Sequence, residues 1–199
     1  MEINAALVKQ LREMTGVGMM QCKSALLEAR GDLGEAERIL RKKGASSAAK
    51  KADRSTGEGQ VGAYVHTGGK IGVLVEVNCE TDFAARSDEF QGLVRNLAMH
   101  VAAAAPRFVQ REEVAEALLD EEREIAREVA LRSGKPAAVV DKIVAGRIEK
   151  FFGETVLLEQ PYVKDPERTV GQLITESVAR IGENIRVRRF ARFVLGDQA

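Results

Sequence analysis

The run I-G-V-L-V-E-V-N-C at 71–79 restricts the fold more than any other stretch of this chain. Its β-branched residues Ile71, Val73, Val75 and Val77 recur at every second position, so all four lie on one side of an extended strand. Such a row calls for one well-buried sheet face, because branched side chains pack well on a pleated surface. Just upstream, Val61, Ala63 and Val65 alternate with Gly62, Tyr64 and His66, and Thr67-Gly68-Gly69 supplies the turn of a hairpin. The segment I-R-V-R-R-F-A-R-F-V-L at 185–195 reads as a third strand.

The rest of the chain repeats at helical spacing. Ile3, Leu7, Leu11 and Met14 form a first stripe ended by Thr15-Gly16, and Met19, Cys22, Leu26 and Ala29 form a second that stops before Gly31. Asp32 and Glu35 make a D-x-x-E capping box for a third helix, with Leu33, Ala36, Ile39 and Leu40 on its inner face and Gly44 as its stop. Three helices joined by short turns make a small bundle. Residues 45–59, A-S-S-A-A-K-K-A-D-R-S-T-G-E-G, read as a linker, helical at its start, which puts a boundary near Ser55. The expected domains are 1–54 and 55–199.

Beyond the hairpin, Asp88 and Gln91 cap a helix with Phe90, Leu93, Val94, Leu97 and Val101 on its stripe. A charged helix over roughly 111–132 has a thin seam of Val114, Leu118, Ile125 and Val129. Ser133-Gly134-Lys135-Pro136 breaks it, and the next helix carries Val140, Ile143, Val144, Ile148, Phe151 and Phe152. Thr169 with Gln172 opens a last helix that ends at Gly182. The expected class is α+β: an N-terminal three-helix domain, then a core with a small, about three-stranded antiparallel sheet packed with helices.

Thirty basic residues balance thirty acidic ones, so the net charge is zero, which argues against a dedicated nucleic-acid binder. Neither a leader pattern at the start nor a membrane-length apolar run is present, and a cytoplasmic location is expected. Cys22 and Cys79 lie outside any C-x-x-C spacing and read as buried thiols, with no metal or cofactor expected. Gly57-x-Gly59-x-x-Gly62 matches a dinucleotide pattern by letter, but it precedes a strand and opens no helix, so it reads as linker glycine. His100 sits at the edge of an apolar stripe, and Cys79 and His66 have no partner to orient a base. No catalytic constellation follows, and the chain is not expected to be an enzyme. Arg186, Arg188 and Arg192 beside Phe190 and Phe193 leave one alternative open, a sheet that binds single-stranded nucleic acid, which would make the chain a helical module attached to an RNA-binding α+β domain.

Two features stay open on residues alone. Met20, Lys23 and Leu27 share a face of the second helix about a quarter-turn from Met19 and Cys22; they either widen the core stripe or form an exposed contact surface. In E-T-D-F-A-A-R at 80–86, either Asp82 caps a turn and Phe83 folds back on the helix beginning near Asp88, or Phe83 is a protruding wedge that a partner buries.

The ordered matches at 7–26 (L-V-K-Q-L-R-E-M-T-G-V-G-M-M-Q-C-K-S-A-L), 75–85 (V-E-V-N-C-E-T-D-F-A-A), 98–103 (A-M-H-V-A-A), 133–136 (S-G-K-P), 146–151 (G-R-I-E-K-F), 160–163 (Q-P-Y-V), 169–173 (T-V-G-Q-L) and 181–185 (I-G-E-N-I) resemble the bacterial elongation factor Ts family. The resemblance implies a ubiquitin-associated-like helical domain that docks on elongation factor Tu through Met19, Met20 and Lys23. It also implies that the stretch Thr81, Asp82, Phe83 and Ala84 dislodges Mg²⁺ from that partner, and that His66, Ile181 and Gly182 lie at the partner surface. Gln21 and Ala84 stand where the family usually has Asp and Val. Longer members carry two core lobes, whereas this chain has one, so it resembles the short form. That form implies a homodimer in a two-plus-two complex with elongation factor Tu, joined through sheet edges or the seam helices.

Overall fold

A computed structural model describes residues 3–197 apart from 135, with Ala137 described by its backbone alone. The fold is mixed α+β. Among the described residues the order is α1 (Ala5–Thr15), α2 (Met19–Glu28), α3 (Leu33–Ala49), β1 (Glu58–Val65), β2 (Ile71–Cys79), α4 (Asp82–Arg86), α5 (Asp88–Ala104), α6 (Glu116–Arg132), α7 (Ala137–Thr155), β3 (Pro161–Tyr162), β4 (Asp165–Thr169), α8 (Val170–Ile181) and β5 (Arg186–Val194). Strands β1, β2 and β5 form one antiparallel sheet with β2 in the centre, and β3 pairs with β4 as a separate ribbon. The chain divides into two compact units. One comprises Met1–Gln60, Val77–Val94 and Leu173–Arg186; the other comprises Val61–Glu76, Arg95–Gln172 and Val187–Ala199.

In the first unit, α1, α2 and α3 close around Leu11, Cys22, Ala25, Leu26 and Ala36, all without solvent contact. Asn4 caps α1 by accepting the Ala6 amide at 2.9 Å, and Gly16 ends it in the left-handed conformation (φ 68°). Asp32 caps α3 by accepting the Glu35 amide at 2.7 Å, while the Glu35 carboxylate turns to Arg38 at 2.5 Å. Gly44 does not stop α3, which continues to Ala49. A Cβ there would lie 3.1 Å from the Ala179 methyl of α8, so Gly44 marks a close approach of two helices.

On β2, Val73, Val75, Val77 and Cys79 are buried and Leu74 is exposed, as the alternation requires. Strand β1 begins at Glu58, so the supposed linker glycines 59 and 62 are strand residues. Gly59 (φ 145°) allows β1 to pass the β2 backbone, since a Cβ there would fall 2.2 Å from the Val77 oxygen.

In α5, Phe90, Leu93, Val94, Leu97 and Val101 are buried as expected, but the capping side chain is Ser87, whose hydroxyl accepts the Phe90 amide at 3.2 Å. His100 is fully buried in the second unit. The Val163 amide donates to its Nδ1 at 3.2 Å, so Nε2 carries the proton and donates to Gln160 Oε1 at 2.9 Å. Burial pushes this imidazole below its ordinary value, against the opposing pull of Gln160.

Helix α6 starts only at Glu116, after a separate turn at 111–113. Its seam against α7 is Leu119, Ala126 and Ala130, facing Val140, Val144, Ile148 and Phe152, whereas Ile125 and Val129 point to solvent. Ala126 and Ala130 let the two helices approach, Ile125 and Val129 one position earlier lie off the seam, and the expected Val114 and Leu118 pack with the α7 side chains. Lys135, in the predicted break between them, lies outside the described residues. Helix α8 opens with the full reciprocal box: Gln172 N donates to Thr169 Oγ1 at 3.2 Å and Thr169 N to Gln172 Oε1 at 3.0 Å.

Candidate contact site

Strand β2 stops at Cys79, whose thiol donates to the Thr81 carbonyl at 3.2 Å. Thr81 keeps an extended backbone, and its hydroxyl accepts the Ala84 amide at 3.3 Å, capping the short helix α4. Asp82 pairs with Arg86 one turn on at 2.9 Å, Ala84 is buried, and Phe83 is 82% exposed. The turn reading therefore fails twice, because Thr81 is the cap and Phe83 does not fold back. Ala84 anchors the turn from inside and offers no surface of its own.

Five residues make too short a helix to hold itself in water. The loop after α8 braces it. Glu183 Oε2 accepts the amides of Glu80 (3.1 Å) and Thr81 (3.0 Å), and its Oε1 accepts the Thr81 hydroxyl at 2.6 Å. Next along, the Asn184 amide donates to Glu80 Oε1 at 2.6 Å, and the Asn184 side chain donates to the Ala52 and Arg54 carbonyls at 3.1 and 2.9 Å. Arg54 faces Glu80 at 3.5 Å. Gly182, exposed with φ 89°, and the half-buried Ile181 head this same loop. The first unit thus brings Thr81–Ala84 and Ile181–Gly182 together.

That unit also carries the α2 face. Met19, Met20, Lys23 and Leu27 are all exposed, Met20 by 77%. Met19 was expected in the core stripe, but Ala25 takes the inward place, so the core-widening alternative for Met20 and Leu27 falls as well. His66 lies in the second unit, exposed beyond the end of β1, with Nδ1 3.0 Å from the Tyr64 hydroxyl. Burial, and then the charge of Glu183, push the Cys79 thiol above its ordinary value. Among the described residues, no group of three His, Cys, Asp or Glu is placed to hold a metal ion, and no helix is long and apolar enough to cross a membrane.

Sequence reasoning passed over Glu183, Asn184 and Glu80. Glu183 and Thr81 are 102 residues apart in the chain, and a lone carboxylate after a glycine carries no periodic signal.

A braced turn with Phe83 exposed and a helix face with Met19, Met20 and Leu27 exposed are candidate contact surfaces on an α+β fold. Residues 36–196 match the family model described as Elongation factor TS. The chain is 57% identical to Elongation factor Ts of Solibacter usitatus over 98% of its own length and 92% of that relative. It is similarly 58% identical to Elongation factor Ts of Carboxydothermus hydrogenoformans over 98% of this chain and 90% of the other. The chain belongs to the elongation factor Ts family and is a translation elongation factor.

Proposed function

We propose that this factor is the guanine-nucleotide exchange factor of elongation factor Tu, binding its GDP form, displacing Mg²⁺ and so promoting GDP release. The observation that carries the reading is Phe83, an aromatic ring 82% exposed on a capped and braced turn. Full burial of such a ring is worth roughly 1.5–3 kcal/mol, which the isolated chain leaves ungained and a partner can recover. Asp82 stands beside it with Arg86 as its counter-ion. Met19, Met20 and Lys23 on α2 dock on the partner, as do His66, Ile181 and Gly182. Mg²⁺ is an efficient target, because the ion bridges phosphate oxygens and protein ligands together.

Exchange of this kind makes and breaks no bond in the factor, so the chain acts without catalytic residues, metal or cofactor. A thiolate mechanism at Cys79 runs against the raised thiol value, since the neutral thiol is a poor nucleophile. The RNA alternative has little support: Arg186 donates to the Ala52 carbonyl, Arg192 to the Ala102 carbonyl at 3.2 and 3.3 Å, and Arg189 pairs with Glu76 at 2.7 Å. The factor works in the cytoplasm as a homodimer, in a two-plus-two complex with elongation factor Tu.

Titration calorimetry against two states of elongation factor Tu tests the reading. Exchange by differential binding requires tighter binding to the nucleotide-free form than to the GDP·Mg²⁺ form, with about 1.4 kcal/mol for each tenfold loss of nucleotide affinity. Equal affinity for the two states would contradict it.

A further inference from the structure

We propose that Glu183 is the positioning residue of the Asp82–Phe83 turn. The inference rests on the exchange reading and adds to it a residue that acts through Thr81. The carboxylate of Glu183 closes three hydrogen bonds at one corner: with the Glu80 amide, the Thr81 amide and the Thr81 hydroxyl. The hydroxyl is the critical link. It donates its one proton to Glu183 Oε1 at 2.6 Å, which leaves its lone pairs for the Ala84 amide at 3.3 Å. Thr81 can therefore cap α4 in one orientation only, with the hydroxyl rotor fixed from outside. A carboxylate acceptor also polarises the hydroxyl and strengthens the cap it makes.

The corner is held on its far side as well. Asn184, the next residue, is buried and binds Glu80 together with the carbonyls of Ala52 and Arg54, so the carboxylate is delivered from fixed backbone. Gly182 (φ 89°) permits the sharp turn out of α8 that brings Glu183 to this position. Without the carboxylate, two backbone amides and a hydroxyl lose their acceptor, and a five-residue helix with little stability of its own keeps only an unfixed cap. Phe83 would then sample many directions, and the cost of ordering it would fall on the encounter with the partner.

The test is a double-mutant cycle on full-length protein, read as the rate at which fluorescent GDP leaves elongation factor Tu. Glu183→Ala is expected to lower the maximal rate roughly ten-fold or more, in line with the loss of hydrogen bonds to a charged group. In the Asp82→Ala/Phe83→Ala background the same substitution should have almost no further effect, because a residue acting through the turn has nothing left to position. Glu183→Gln, which keeps one oxygen acceptor, should recover part of the rate and serves as the working variant where Glu183→Ala does not fold. Amide exchange at Ala84 and Ala85 should quicken in either variant. Multiplying effects of Glu183→Ala and Asp82→Ala/Phe83→Ala would overturn the inference, as would an unchanged rate in folded Glu183 variants. If the wild type itself fails to accelerate release, the exchange reading falls, and the positioning role falls with it; wild type and Asp82→Ala/Phe83→Ala alone report that outcome.

Discussion

Phe83 shows what single residues disclose. Its hydrophobicity in T-D-F is readable from sequence, but its direction depends on which side chain caps the next turn, and Thr81 does so where Asp82 was the alternative. Exposure was likewise decided by rotation on α2, where Cys22 is buried while Met19 and Met20, three and two positions before it, are exposed.

His100 gives the clearest residue-scale prediction. Its folded value lies below the ordinary 6.5, with burial as the leading cause. Between the two values the unfolded chain binds more protons than the folded one, so stability rises with pH there. The contribution of the neutral imidazole is complete above about pH 6.5 and is lost as pH falls below it. Urea unfolding should therefore show falling stability from pH 7 to pH 5, and the imidazole resonance of His100 should titrate below 6.5. A titration at or above 6.5 would contradict the buried, neutral assignment.

At the scale of elements, periodicity located every long helix and all three strands of the main sheet, because burial on one face enforces a repeat. What it missed has short or weak repeats. The β3–β4 ribbon escaped because Asp165, Glu167 and Arg168 are poor strand formers without alternation. Of the expected α6 seam, Val114 and Leu118 join the packing with α7, but Ile125 and Val129 give way to Ala126 and Ala130, which signal close packing only once α7 is in place.

The main sheet has a second face. Val61 and Val65 on β1, Leu74 on β2 and Phe193 on β5 point away from the core, and Leu195 follows at 76% exposure. Exposed apolar side chains on a sheet face suit face-to-face packing of a second sheet. If the proposed homodimer is joined through this face, Phe193→Glu should yield a folded monomer in sedimentation velocity. Monomeric wild type, or a dimer that survives the substitution, would remove the sheet face as the interface.

For the molecule as a whole, the fold class followed from one buried β-branched row among helical stripes. The proposed contact residues were named through family motifs, whereas the exposure of Met20 and Phe83 stayed open on residues alone and is set by the fold. The bracing of α4 was not legible, because it joins residues 80–81 to residues 183–184 through carboxylates that look like ordinary surface charge in the chain. The central claim is that this factor releases nucleotide by inserting the Asp82–Phe83 turn into its partner. The most direct measurement is the release rate of a fluorescent GDP from elongation factor Tu, with wild type and with Asp82→Ala/Phe83→Ala. The account predicts strong acceleration by wild type and a loss of roughly 30-fold or more in the folded double mutant, the scale of a buried aromatic anchor. Acceleration that survives the double mutant undiminished would contradict it.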